Sequence, residues 1–121
     1  RGLPGLIAGE REGLALYEIA GARAELVLLH ALTPGHGLGT ALVETLAALL
    51  AEQGVRELWL TTTNDNLEAL RFYQRRGFRL MELRAGAMDE ARRVKPSIPV
   101  VGEFGIALRD ELRLARRLGP A

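Results

Sequence analysis

Cysteine is absent from the 121 residues. Disulfides, thiolate nucleophiles, thiolate metal sites and iron–sulfur clusters are excluded with it. Aromatic residues make up only 5% of the chain. Lysine is reduced to Lys95, every other basic residue being arginine, which reads as coding bias or a warm habitat rather than a binding device. Neither sign of charge dominates: 16 basic and 15 acidic residues leave +1 at pH 7. That balance excludes strong attraction to nucleic acid or to acidic membranes as the main function. No apolar run approaches the roughly 18 residues of a membrane span, and no signal-peptide pattern stands at the start, so a cytoplasmic setting is expected. His30 and His36 have no further His or carboxylate at ligand spacing, and no metal site is expected.

Hydrophobic residues fill 48% of the chain, enough for one ordinary core, and residues 1–121 are expected to form a single domain. Leu3 to Glu10, Gly13 to Ala20 and Glu25 to Leu32 read as short strands, with a turn at Gly21, in an antiparallel meander. The period then changes. Leu42, Leu46, Leu49 and Leu50 fall on one face of a helix from about Thr40 to Gln53, stopped by Gly54. Val55 to Thr62 is a nearly continuous apolar run, as in a strand buried inside a sheet. Asp65 and Glu68 form a capping-box pair ahead of a helix from Asn66 to Arg76, stopped by Gly77. Phe78 to Leu83 reads as a strand and Met88 to Val94 as one or two helical turns. Lys95 to Pro99 is expected to be extended, since each proline biases its predecessor away from helix. Ile106 to Leu114 alternates like a strand, with Asp110 as a polar intruder and a helix as the rival reading. Strands alternating with two longer helices give an α/β fold with a mixed sheet covered by helices.

Gly35, Gly37 and Gly39 cluster where a strand gives way to a helix. The first N–H groups of a helix lack internal partners and carry the positive end of its dipole, and glycines let an anion approach them. One reading is an anion cradle suited to a diphosphate; the other is a turn that only reverses the chain. A P-loop is excluded because Leu38-Gly39-Thr40 carries no lysine. A dinucleotide fingerprint is excluded because Leu42 stands where a third glycine is needed, and Trp59, Leu60 and Thr61 where an acidic strand end is needed.

Asn66, Ala69, Phe72, Tyr73, Gly77 and Phe78 fill every specified position of Asn-x-x-Ala-x-x-Phe-Tyr-x-x-x-Gly-Phe. With the glycine loop upstream, this resembles the GNAT superfamily of acetyl-CoA-dependent N-acetyltransferases. Gly37 and Gly39 match its loop signature, while Pro34 stands where Arg or Gln is usual. The resemblance covers about Leu3 to Leu83. It begins at the family's second strand, the first strand and two helices having no counterpart here. The segment from Lys95 to Glu111 resembles a bacterial subgroup.

The resemblance implies a twisted, mostly antiparallel mixed sheet with a central parallel pair and flanking helices. The strand ending at Leu29, His30 and Ala31 would splay from its parallel neighbour and receive the pantetheine arm of acetyl-CoA, the co-substrate, like an added strand. His36, Gly37, Leu38, Gly39, Thr40 and Ala41 would hold the diphosphate. Asn66 would bond the pantetheine amides. Tyr73 would lie at the thioester and protonate the leaving thiolate, and Glu25 is the candidate base for the amine substrate. The reaction needs no metal. A homodimer is compatible with the family. The alternative is a catalytically inactive acyl-CoA-binding or interaction module of the same fold. Arg71, Arg75, Arg76 and Arg79 read either as a contact for the 3′-phosphate of coenzyme A or as a solvated helix face.

Overall fold

The computed structural model describes residues 5–8, 13–31 and 37–119. The elements follow in the order β1 (Gly5–Ala8), β2 (Gly13–Ala20), β3 (Arg23–Ala31), α1 (Leu38–Glu52), β4 (Glu57–Thr63), α2 (Leu67–Arg75), β5 (Arg79–Arg84), α3 (Ala87–Val94) and β6 (Glu111–Arg117). Three of the described strand pairings are antiparallel: β1 with β2, β2 with β3, and β5 with β6. The fourth, β3 with β4, is parallel. This is the mostly antiparallel mixed sheet expected. The chain forms two compact units, residues 1–60 with 116–121 and residues 61–115, passing between them within β4 and again within β6.

In the first unit α1 lies across β1, β2 and β3. Its buried face is Leu42, Val43, Leu46, Ala47 and Leu50, a stripe at i, i+1, i+4, i+5 and i+8. The leucine pattern is therefore right in phase but displaced by one residue, since Val43 and Ala47 are buried while Leu49 is not. Ala15, Tyr17, Ala24, Leu26 and Leu58 complete this core. The helix starts two residues earlier than Thr40, with Gly37 in the left-handed region (φ 74°) as its N-cap. β4 differs from expectation in having one buried face, not two. Leu58 and Leu60 are buried, whereas Trp59 is half-buried on the other side beneath the Arg23 guanidinium, 5.5 Å from the ring centre.

In the second unit β5 pairs with β6 with Met81 as an extra residue between Leu80 and Glu82. Three expectations are corrected here. Asp65 is not the cap of α2: Asn66 is, its side chain accepting from the Ala69 N–H, because the Asp65 carboxylate is drawn to partners elsewhere. Lys95 to Pro99 is a turn closed by the Ile98 N–H on the Lys95 carbonyl at 3.1 Å. Lys95 itself keeps an extended backbone, φ −127° and ψ 85°, as the residue before Pro96 should. Arg92 fixes the turn by donating to the Ile98, Pro99 and Leu108 carbonyls and to Asp89. Lastly, the strand expected from Ile106 begins at Glu111 and runs to Arg117. Residues 100–108 instead form a small hairpin, bridged at Val101 and Ala107 and tipped by a 3₁₀ turn at Glu103–Gly105.

Candidate active site

The first unit carries β3 and the start of α1, on which the residues expected for the pantetheine arm and the diphosphate fall. α1 follows β3 in the chain, and no acidic residue stands in its first turn. Leu38 and Gly39 sit where a helix supplies no carbonyl of its own for their N–H groups. The Ala41 N–H is already spent on the Gly37 carbonyl at 3.0 Å, so the main-chain donors expected at 37–41 reduce to the earlier ones. His36 lies outside the described residues.

β3 pairs with β4 over three residues only, Arg23, Ala24 and Glu25 against Glu57, Leu58 and Trp59. From Leu26 to Ala31 it runs on with no described β4 partner. Just past that point β3 carries a bulge: Tyr17 pairs with Leu26 and Leu16 with Leu28, which leaves Val27 as the extra residue. A bulge bends its strand and sharpens the twist, so the ladder ends where the chain turns away. Leu29 is half-buried and His30 exposed on this stretch, which continues to Ala31. Glu25 is half-buried at the last rung of the ladder, opposite Glu18 on β2 and Trp59 on β4.

The second unit carries Asn66 and Tyr73, two helical turns apart. The Asn66 Oδ1 accepts the Ala69 N–H at 3.1 Å, which leaves its amide nitrogen to donate and the second lone pair of Oδ1 to accept. The Tyr73 ring sits edge-on to Phe72 at 5.0 Å and to Phe78 at 5.3 Å. Burial in this apolar setting pushes its phenol up to about 12, since the charged form loses its water. Arg76 folds back over the Phe72 ring, 3.9 Å from its centre, and donates to the Phe72 carbonyl at 2.9 Å.

Asn64 and Asp65 take partners far along the chain. Asn64 accepts from the Arg109 and Asp110 N–H groups and donates to the Ala107 carbonyl. Asp65, the one buried charged side chain among the described residues, accepts from Thr63 Oγ1 at 2.6 Å and from the Glu103 N–H at 2.8 Å. Burial alone pushes the Asp65 carboxyl up, but these hydrogen bonds outweigh it and hold it below the ordinary 3.8. Asp110, the polar intruder, accepts from the Gly86 N–H at the start of α3. All these partners lie 24 to 46 residues away, except Thr63, and no local pattern announces them.

The sequence pattern of the acetyltransferase (GNAT) family matches residues 20–78. Two Bacillus subtilis (strain 168) proteins are similar over most of the chain. Uncharacterized protein YxbD is 40% identical over 106 residues, 88% of this chain and 67% of its own length. Uncharacterized protein YdhI is 37% identical over 109 residues, 90% of this chain and 68% of its own. Among solved structures, the Bacillus subtilis acetyltransferase in complex with CoA superposes with a TM-score of 0.78 at 21% identity, over 94% of this chain and 74% of that one. Pattern, relatives and topology agree, and the chain belongs to the GNAT acetyltransferase family.

Proposed function

We propose that this chain, acting as one domain, is an N-acetyltransferase that moves the acetyl group of acetyl-CoA to a primary amine. The observation that carries this reading is the short β3–β4 ladder. β3 continues past Glu25 with no β4 partner among the described residues, and an extended pantetheine arm can add to such an edge like a strand. The chain then leads to the start of α1, where first-turn N–H groups suit the diphosphate. A chain of the same fold is solved with CoA bound.

In this reading the amine first loses a proton to Glu25, directly or through one water. Its lone pair attacks the acetyl carbonyl carbon, the C–N bond forms, the C–S bond breaks, the thiolate takes a proton from Tyr73, and the second proton on the new amide nitrogen returns to the Tyr73 oxygen. Tyr73 is the donor at the sulfur. A phenol near 12 is about 3.5 units weaker as an acid than a thiol near 8.5, so full transfer is uphill by about 5 kcal/mol. Tyr73 therefore acts chiefly by a hydrogen bond that strengthens as charge builds on sulfur, the proton crossing late.

The test has two stages. Acetyl-CoA at about 100 times its Kd should stabilise the fold by roughly 2.7 kcal/mol, read as a rise in melting temperature. Free thiol should then be released in the presence of some member of an amine panel. No rise in melting temperature sinks the reading; a rise without thiol release across the panel leaves an acyl-CoA-binding module.

A further inference from the structure

Two glutamates meet across the β2–β3 ladder. Glu18 pairs in register with Glu25, and Glu25 pairs in turn with Trp59 of β4. Residues directly opposite in an antiparallel pair project to the same face, their Cβ atoms about 4.5–5.5 Å apart. The neighbouring rung, Tyr17 with Leu26, is buried in the core that α1 covers. Glu18 and Glu25 therefore stand on the other face of the sheet, away from α1. All of these residues belong to the first unit.

Like charges directly opposite one another destabilise a sheet, and nothing among the described residues offsets this pair. Arg23, on the same stretch of β3, donates to Glu57 at 2.7 Å and lies over the Trp59 ring. The other ion pairs among the described residues engage neither Glu18 nor Glu25. The pair is not one edge of a metal centre either, since no group of three or more His, Cys, Asp or Glu among the described residues could hold a metal ion.

The proposed reaction uses only one of these two charges. Once Glu25 has taken a proton from the acceptor ammonium it is neutral. Glu18, exposed beside it, keeps its charge throughout. A carboxylate so placed complements a positive charge that the acceptor carries and does not lose.

We propose that Glu18 is a specificity-determining residue that holds a second cationic group of the acceptor, which is then a short diamine with its reacting nitrogen at Glu25 and its retained ammonium at Glu18. The cross-strand spacing, about 5 Å, suits two nitrogens joined by about three carbons. This rests on the acetyltransferase reading above, with Glu25 as the base, and adds the substrate class.

The test is steady-state thiol release with acetyl-CoA and two amines, trimethylenediamine and propylamine, which differ by the second ammonium. Each is compared between wild type and Glu18→Gln, so that the intrinsic difference in reactivity between the amines cancels. Glu18→Gln should raise KM for trimethylenediamine roughly three- to fivefold, the scale of one exposed ion pair, and leave KM for propylamine and for acetyl-CoA unchanged. The substitution removes a like-charge contact, so the variant should melt no lower than wild type. A lower melting temperature would give Glu18 a partner within the protein and overturn the inference. An unchanged KM for the diamine, an equal rise for both amines, or thiol release with other amines but not with the diamine overturns it too, and leaves the acetyltransferase reading standing. A chain that acetyl-CoA does not stabilise, or that releases no thiol with any amine, overturns both.

Discussion

Gly102→Ala is the most direct probe of the second unit. The added methyl would lie 2.1 Å from Asp65 Oδ2, 2.6 Å from its Cγ and 3.0 Å from its Cβ. The backbone is not the obstacle, since φ is −100°. The obstacle is the Asp65 side chain, in a residue only 5% exposed and already accepting from Thr63 Oγ1 and the Glu103 N–H. To admit the methyl, either Asp65 rotates away from Thr63 Oγ1 and the Glu103 N–H or the turn lifts off. Each path gives up at least one hydrogen bond to a buried charge, on the order of 1.5–3 kcal/mol, and leaves that charge partly unsatisfied. The expected loss is about 2–4 kcal/mol. For a chain of this size that is a fall in melting temperature of roughly 8–15 °C, measurable by calorimetry and checked by the midpoint of urea unfolding. Gly86→Ala is the control. Its Cβ meets nothing within 4 Å, so it feels only the strain of φ 76°, about 1 kcal/mol. If Gly102→Ala melts within about 2 °C of wild type, or no lower than Gly86→Ala, the packing argument is wrong.

Three further outcomes are expected. Asp65 ionises more readily folded than unfolded, so its contribution is intact above the ordinary 3.8 and drains away as pH falls toward its lower folded value; the gap in melting temperature between wild type and Asp65→Asn should be widest near neutrality and close below about pH 4, and a gap constant from pH 7 to pH 3 would contradict this. Tyr73→Phe should lower kcat roughly 10²-fold, the lower end for loss of a proton donor, with KM for acetyl-CoA held within about twofold; an unchanged kcat removes Tyr73 from the reaction. Because the phenol stays protonated until about 12, any rise in rate between pH 7 and 10 belongs to another group. Gly37→Val should raise the Kd for acetyl-CoA by about tenfold or more in calorimetric titration. A Cβ at Gly37 meets no described protein atom within 4 Å, so the side chain would stand in the open space at the helix start, and a β-branched residue at φ 74° would also strain the turn that aims the first N–H groups of α1. An unaltered Kd would remove the cradle from cofactor binding.

Much of the fold was legible because local chemistry enforces it. The β2 limits, Gly13 to Ala20, coincide with the period-2 reading, and Gly54 and Gly77 take the positive φ of 85° and 89° that stop the helices before them. The periodicity of Leu42, Leu46 and Leu50 placed the buried face of α1. The pairing of Gly37 and Gly39 with Asn66 and Tyr73 pointed to the family, since two motifs at a fixed distance specify far more than either one.

What the sequence by itself determined is therefore the element order, the helix stops and the family. Tertiary structure alone decided where Asp65 spends its carboxylate, that Asn66 and not Asp65 caps α2, that Lys95 to Pro99 turns under the grip of Arg92, and that Ile106 to Asp110 forms a loop instead of a strand. It also decided that the β3–β4 ladder stops at Glu25. The physical reason is the range of the forces. Propensity and periodicity act within one or two turns of chain, whereas a buried carboxylate takes whichever donor the fold brings to it, here an N–H 38 residues away.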